Sequence, residues 1–334
     1  MNQLCNKPLL SKSSTNALRV IFELMVLFHH LYVASTAWGD RIDILFGPVA
    51  VGGFFLLSGY GVGFSFLNKG DEYCKKLLKN RIPKTYLIIL IADLVYLGLY
   101  YYMGNSLENF FDLAISVLYL PVFSGFVALS HYIYFLADLI IYYFMFLIFV
   151  RIFKKAKNPL FSTALAIVLV DLVIIAVLTV INAETGSNRH LRACVCFPLG
   201  LLLACTLKEK NVVEWLKKFK WVLAISLIAV GSVIYALTND VSILEYLLPI
   251  LFAFAMIALF FGVDFKNKII DYASQAVVYV YVSHEFFREL LDYKIAGDMT
   301  NEIALMVLFV SLVVGFVMLG IEKKANMQNK KKLA

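Results

Sequence analysis

The sequence predicts an all-α, polytopic integral membrane protein of about ten transmembrane helices with both termini in the cytoplasm. Three observations carry that expectation. Of the 334 residues, 61% are hydrophobic and 16% charged, against about 45–50% apolar and about 25% charged in an ordinary soluble domain. Apolar runs near the ~20 residues that a bilayer demands of a helix recur at 17–37, 44–67, 84–103, 131–150, 160–181, 190–207, 220–237, 244–263, 273–291 and 302–320. Finally, 25 of the 30 Lys and Arg residues fall in the connections on the side of the N-terminus, leaving Arg41, Arg189, Arg192, Arg288 and Lys294 on the other. The positive-inside rule makes the richer side cytoplasmic. The formal charge of +7 then reflects topology and needs no nucleic acid.

The first apolar run, ALRVIFELMVLFHHLYVASTA, carries Arg19, Glu23, His29 and His30. Ionisable groups at membrane depth cost about 2.5–3.5 kcal/mol each on insertion scales, so they normally face protein or water and carry function. Eleven residues from Arg19 to His30 amount to about 16 Å of rise and about 20° of rotation, so both side chains share one face. Glu23 falls within about 40° of that stripe, whereas His29 is turned well away. No cleavage pattern follows this charged helix, so it is expected to be retained rather than removed as a signal peptide.

Helix 2, FGPVAVGGFFLLSGYGVGFSF, is rich in glycine and contains Ser58. Small residues in a membrane helix permit close helix packing, or here a substrate contact. Between helices 2 and 3 runs KKLLKNRIPK, with Lys75, Lys76, Lys79, Arg81 and Lys84. Pro83 suits a first helical turn, so Arg81 is expected at a helix N-terminus, where anions are favoured. This inner cluster reads either as contacts to anionic lipid headgroups or as a clamp for phosphate.

Residues 107–129 tempt an eleventh span, but one here would put Arg151, Lys154, Lys155 and Lys157 outside. The expectation is an interfacial or re-entrant outer segment, interrupted by Pro121 and Gly125. Helix 4 opens with His131 at the outer boundary and places Asp138 two turns deeper. Helix 6 is entered past Arg189, His190 and Arg192, and helix 9 carries His284, Glu285, Arg288 and Glu289. Helices 2, 7, 8 and 10 have almost no charge, so polar groups concentrate in helices 1, 6 and 9, where they pair with one another or line one pore. The five cysteines follow no disulfide or zinc spacing. Residues 321–334 form a basic tail, and the whole chain reads as one transmembrane domain without a metal.

Taken together, Arg19 ten residues before His30, GGFFLLSGYGVGFSF, KNRIPKTY, HYIYFLADLIIYYFMF, LRACVCFPLGLLL and SQAVVYVYVSHEFF resemble the acyltransferase 3 family, in the family's order and over nearly the whole chain. The resemblance implies a membrane enzyme of the bacterial plasma membrane that moves acyl groups, most often acetyl from acetyl-CoA, onto extracytoplasmic or lipid-linked polysaccharide. His30 then corresponds to the catalytic histidine with Arg19 and Glu23 on its stripe. Arg81, with Lys84, Lys79 and Lys76, would meet the donor's phosphates, and His284, Glu285, Arg189, Arg192, His131 and Ser58 would line the acceptor path or pore. Two departures stand out: the basic loop is mostly Lys, and HYIYF lacks the Trp that often follows the histidine in the family. His30 would act as general base or carry the acyl group itself. The competing class is a transporter or flippase of a lipid-linked glycan, for which the Arg19–His30 spacing has no use.

Overall fold

In hydrocarbon no water is available for backbone N–H and C=O groups, and a helix bonds them within one segment. Among the described residues every long element is a helix and no strand occurs. The computed structural model describes residues 8–32, 39–104, 134–180, 184–237, 241–295 and 301–333. The segment 107–129 and His131 lie outside the described residues.

The elements are α1 (Lys12–Tyr32), α2 (Gly39–Lys69), α3 (Asp71–Lys76), a π-helical stretch (Leu77–Arg81) and α4 (Ile82–Tyr102). They continue with α5 (Tyr134–Ile152), α6 (Pro159–Val180), α7 (Glu184–Cys205), a 3-10 turn (Thr206–Lys208) and α8 (Lys210–Lys218). The series closes with α9 (Lys220–Leu237), α10 (Val241–Leu259), α11 (Lys268–Ile295) and α12 (Asn301–Leu333). A helix therefore stands at each of the ten apolar runs. Six stretches are long and apolar enough by themselves to cross a bilayer: Phe46–Lys69, Asp71–Tyr102, Phe135–Ile152, Pro159–Val177, Lys220–Leu237 and Glu302–Gln328. The chain is thus multi-pass. Helices α1 and α11 fall short of that apolarity because they carry the ionisable groups.

One expectation changes. The backbone from Asp71 to Tyr102 is continuously helical, with Arg81 itself in the right-handed helical region, so Arg81 does not sit at a free helix N-terminus. The cause is local. Pro83 lacks an N–H and its ring crowds the carbonyl four residues back, and the π-helical stretch that ends at Arg81 is the kind of widening that absorbs such a conflict. The basic tail read over 321–334 is helical. Its residues extend α12 to Leu333, anchored where Glu322 accepts a 2.7 Å hydrogen bond from the Tyr279 hydroxyl and Lys323 lies 4.2 Å over the Tyr272 ring.

The chain forms two compact units, residues 1–11 with 51–263 and residues 12–50 with 264–334. In the first, Phe55, Tyr142 and Phe197 from α2, α5 and α7 form an aromatic core with ring centroids 5.7 and 5.1 Å apart. The Tyr142 hydroxyl, buried in it, donates to Asp171 of α6 at 3.0 Å. Close approach of α2 and α7 depends on glycine. A Cβ at Gly59 would lie 2.1 Å from the Phe197 carbonyl oxygen, and one at Gly200 2.2 Å from that of Leu56. The packing reading of the helix 2 glycines holds at these positions.

In the second unit, α1 and α11 run parallel and in register. Asn16 donates to Asp271 at 2.8 Å, and fourteen residues further along each helix, about 21 Å of rise, His30 meets Glu285. Between these contacts Leu27 packs on Ala276 and Val280, with Leu319 of α12 completing the cluster. Antiparallel α12 closes the other side of α11.

Candidate active site

His30 is the last ionisable residue of α1, and the register set by Asn16 and Leu27 brings it to Glu285 of α11. Its Nδ1 lies 2.9 Å from Glu285 Oε1, at hydrogen-bond distance but with the N–H off the ideal line toward the oxygen. Glu285 is only 2% exposed, and its second oxygen accepts a 2.6 Å hydrogen bond from Arg288 Nε, one helical turn along α11. A buried carboxylate is tolerable only when paired, and this one has a cation on one oxygen and an imidazole on the other. The His30 side chain keeps 23% of its surface open. One ring nitrogen is therefore oriented by a carboxylate and the ring stays reachable, the geometry of a base with its orienting group.

His284, adjacent to Glu285 in sequence, completes the cluster. Its ring centroid is 5.1 Å from that of His30, and its Nε2 is 3.8 Å from Glu285 Oε1. At 1% exposure it is fully buried, with Tyr281 on its other side at 5.8 Å. The ligand-type atoms of His30, His284 and Glu285 all lie within 4.8 Å of one another.

Glu23 lies on the same face of α1 as His30, two turns earlier. It is 4% exposed, and neither carboxylate oxygen has a hydrogen-bond partner. Arg19 is half-buried a turn before that. His29 points the other way, its ring edge-on to His30 at 4.7 Å. A Cβ on Gly47 would lie 2.5 Å from its Cδ2, so glycine makes the socket that holds the His29 ring.

The remaining expected residues fall in the other unit. Arg81 is half-buried with its guanidinium carbon 4.7 Å over the Tyr143 ring, a cation–π contact, while Lys76, Lys79 and Lys84 are exposed. Ser58 is buried in α2, and Arg189 and Arg192 lie in the first half of α7. The sequence reading put Glu285 among the acceptor or pore residues without pairing it with His30, against which the structure sets it. It also missed the Glu285–Arg288 pair, for which the three-residue spacing was the available signal, and the socket at Gly47, for which there was none.

No curated protein and no solved structure matches the chain. The profile of the acyltransferase domain family does, over residues 13–321, which takes in α1 through α11, the His30 cluster and most of α12. On that match the chain belongs to the acyltransferase 3 family of membrane acyltransferases.

Proposed function

We propose that the protein moves an acetyl group from cytoplasmic acetyl-CoA to a hydroxyl of an extracytoplasmic or lipid-linked polysaccharide. It would do so within the bacterial plasma membrane, as a ten-span protein with both termini cytoplasmic. The observation that carries the reading is the His30 Nδ1–Glu285 Oε1 contact at 2.9 Å, with Glu285 held by Arg288 at 2.6 Å. Nδ1 faces the carboxylate, and we assign the role of base to Nε2. The acceptor hydroxyl gives its proton to Nε2 as its oxygen forms a bond to the thioester carbon, and the carbonyl π pair moves onto oxygen. Collapse of that tetrahedral species breaks the C–S bond, and the leaving thiolate takes the proton back from His30. Glu285 stays ionised and stabilises the imidazolium between the two transfers. A covalent route, in which Nε2 itself takes the acetyl group before the acceptor does, uses the same residues.

For the donor, Arg81, Lys84, Lys79 and Lys76 supply cations suited to its phosphates. Arg81 alone offers the planar fork that binds phosphate through two hydrogen bonds. Lipid-linked or surface glycan is favoured as acceptor by the family and by the charged outer ends of helices 1, 6 and 9.

The test is thiol release from acetyl-CoA by the purified protein in nanodiscs with a surface-glycan extract, comparing wild type, His30→Ala and His29→Ala. Loss of a general base costs about 10²–10⁴ in rate, so His30→Ala should be silent and His29→Ala should retain turnover. Equal loss in both at normal membrane levels would sink the assignment. Wild type that leaves acetyl-CoA intact would sink the donor.

A further inference from the structure

The proposed mechanism leaves one buried group of the cluster without work. An imidazole carries at least one N–H in every protonation state, and a buried donor without an acceptor costs about 1–3 kcal/mol. His284 is 1% exposed, and neither ring nitrogen makes a hydrogen bond. The carbonyls of Val280 and Tyr281 on its own helix lie near the ring, short of hydrogen-bond geometry. Its Nε2 lies 3.8 Å from Glu285 Oε1, the oxygen that His30 Nδ1 also approaches. The negative end of that carboxylate favours the tautomer with the proton on Nε2. An idle N–H thus sits with its ring 5.1 Å from the base.

The reaction needs such a donor. When a hydroxyl attacks a thioester, negative charge grows on the former carbonyl oxygen, and a fixed N–H aimed at that position lowers the barrier more than any other single device. A neutral imidazole can fill this role. Glu285 would repel the oxyanion if its charge were free, but Arg288 at 2.6 Å and His30 at 2.9 Å offset it. We propose that His284 is a catalytic residue whose Nε2–H donates a hydrogen bond to the thioester carbonyl oxygen and holds it as it becomes an oxyanion. It transfers no proton: the C–O bond forms, the π pair rests on oxygen against His284, then returns as the C–S bond breaks and the thiolate takes the proton from His30. This role rests on the acyltransfer reading, in which His284 had belonged to the acceptor path.

Two substitutions separate the donor from the bulk of the ring. His284→Gln places an amide N–H close to the position of Nε2, and His284→Leu fills the site without a donor. With acetyl-CoA, His284→Leu should lower kcat by about 10²–10³ while KM for acetyl-CoA and Kd for free CoA stay within about twofold, and His284→Gln should recover most of kcat. A second readout is independent of turnover. Trifluoroacetonyl-CoA, whose ketone becomes tetrahedral and anionic, should bind wild type more tightly than acetonyl-CoA, and His284→Leu should erase that preference without changing affinity for acetonyl-CoA. A His284→Leu protein with wild-type kcat, or with the fluoroketone preference intact, overturns the role and leaves the acyltransfer reading standing. Wild type that neither consumes acetyl-CoA nor distinguishes the two ketones overturns both.

Discussion

Glu285 is the residue on which the cluster turns, since it touches His30 and Arg288 directly and lies within 4 Å of His284. Replacing it by Gln keeps the shape and removes the charge that stabilises the imidazolium, so kcat should fall by about 10²–10⁴ with KM little changed. A mutant that loses donor affinity instead would mean that Glu285 binds rather than catalyses. Arg288→Ala removes one charge-assisted hydrogen bond from a carboxylate that is 2% exposed. Such bonds contribute about 1.5–3 kcal/mol, and a ten- to hundredfold loss in kcat/KM is expected. Retention of full activity would show that Glu285 needs no clamp. Gly47 offers a sharper test of local geometry, because a Cβ there meets the His29 ring at 2.5 Å and that ring abuts His30. Gly47→Ala should impair turnover in wild type and do so much less in a His29→Ala background, a coupling that a double-mutant cycle measures. Additive losses would rule out transmission through His29.

At the scale of elements, α2 and α7 are held together by backbone approach at two glycines. Gly59→Ala forces a methyl group to within 2.1 Å of the Phe197 carbonyl oxygen, and neither backbone can yield locally. Overpacking of this kind costs about 1–3 kcal/mol, so Gly59→Ala should lower the midpoint of thermal unfolding in nanodiscs, whereas Gly61→Ala, where an added Cβ meets nothing within 4 Å, should not. Equal midpoints would mean that the helices part without penalty. The abundance of glycine in helix 2 made close packing legible, but not which glycines meet a neighbour. The continuous helix through Arg81 was not, because a proline preceded by lysines reads as a helix start, and only the packing of Tyr73 and Tyr143 in the core and the Arg81 contact to Tyr143 tie the residues before it to the same rod.

For the whole molecule, the parallel run of α1 and α11 bears on topology. Two spans point the same way only when an odd number of crossings separates them, and the proposed ten-span topology places seven between helices 1 and 9. In a protein freed of its native cysteines, a single cysteine at Lys155 should react with an impermeant maleimide only in inside-out vesicles, and one at Lys294 only in intact cells. Labelling of Lys155 from outside would overturn the orientation.

The sequence by itself determined the helical class, the sites of the ten helices, the bias of basic residues and the Arg19–Glu23–His30 stripe. Each of these is a property of one segment meeting solvent or lipid: hydropathy sets where a helix forms, and 3.6 residues per turn sets which side chains share its face. The tertiary structure decided which segments meet. More than 250 residues separate His30 from Glu285, and no periodicity within either helix specifies their contact. That pairing follows from the register of α1 on α11, fixed by Asn16 with Asp271 and by the Leu27 cluster. The same register set Glu285 against His30 and brought His284 Nε2 within 4 Å of the Glu285 carboxylate.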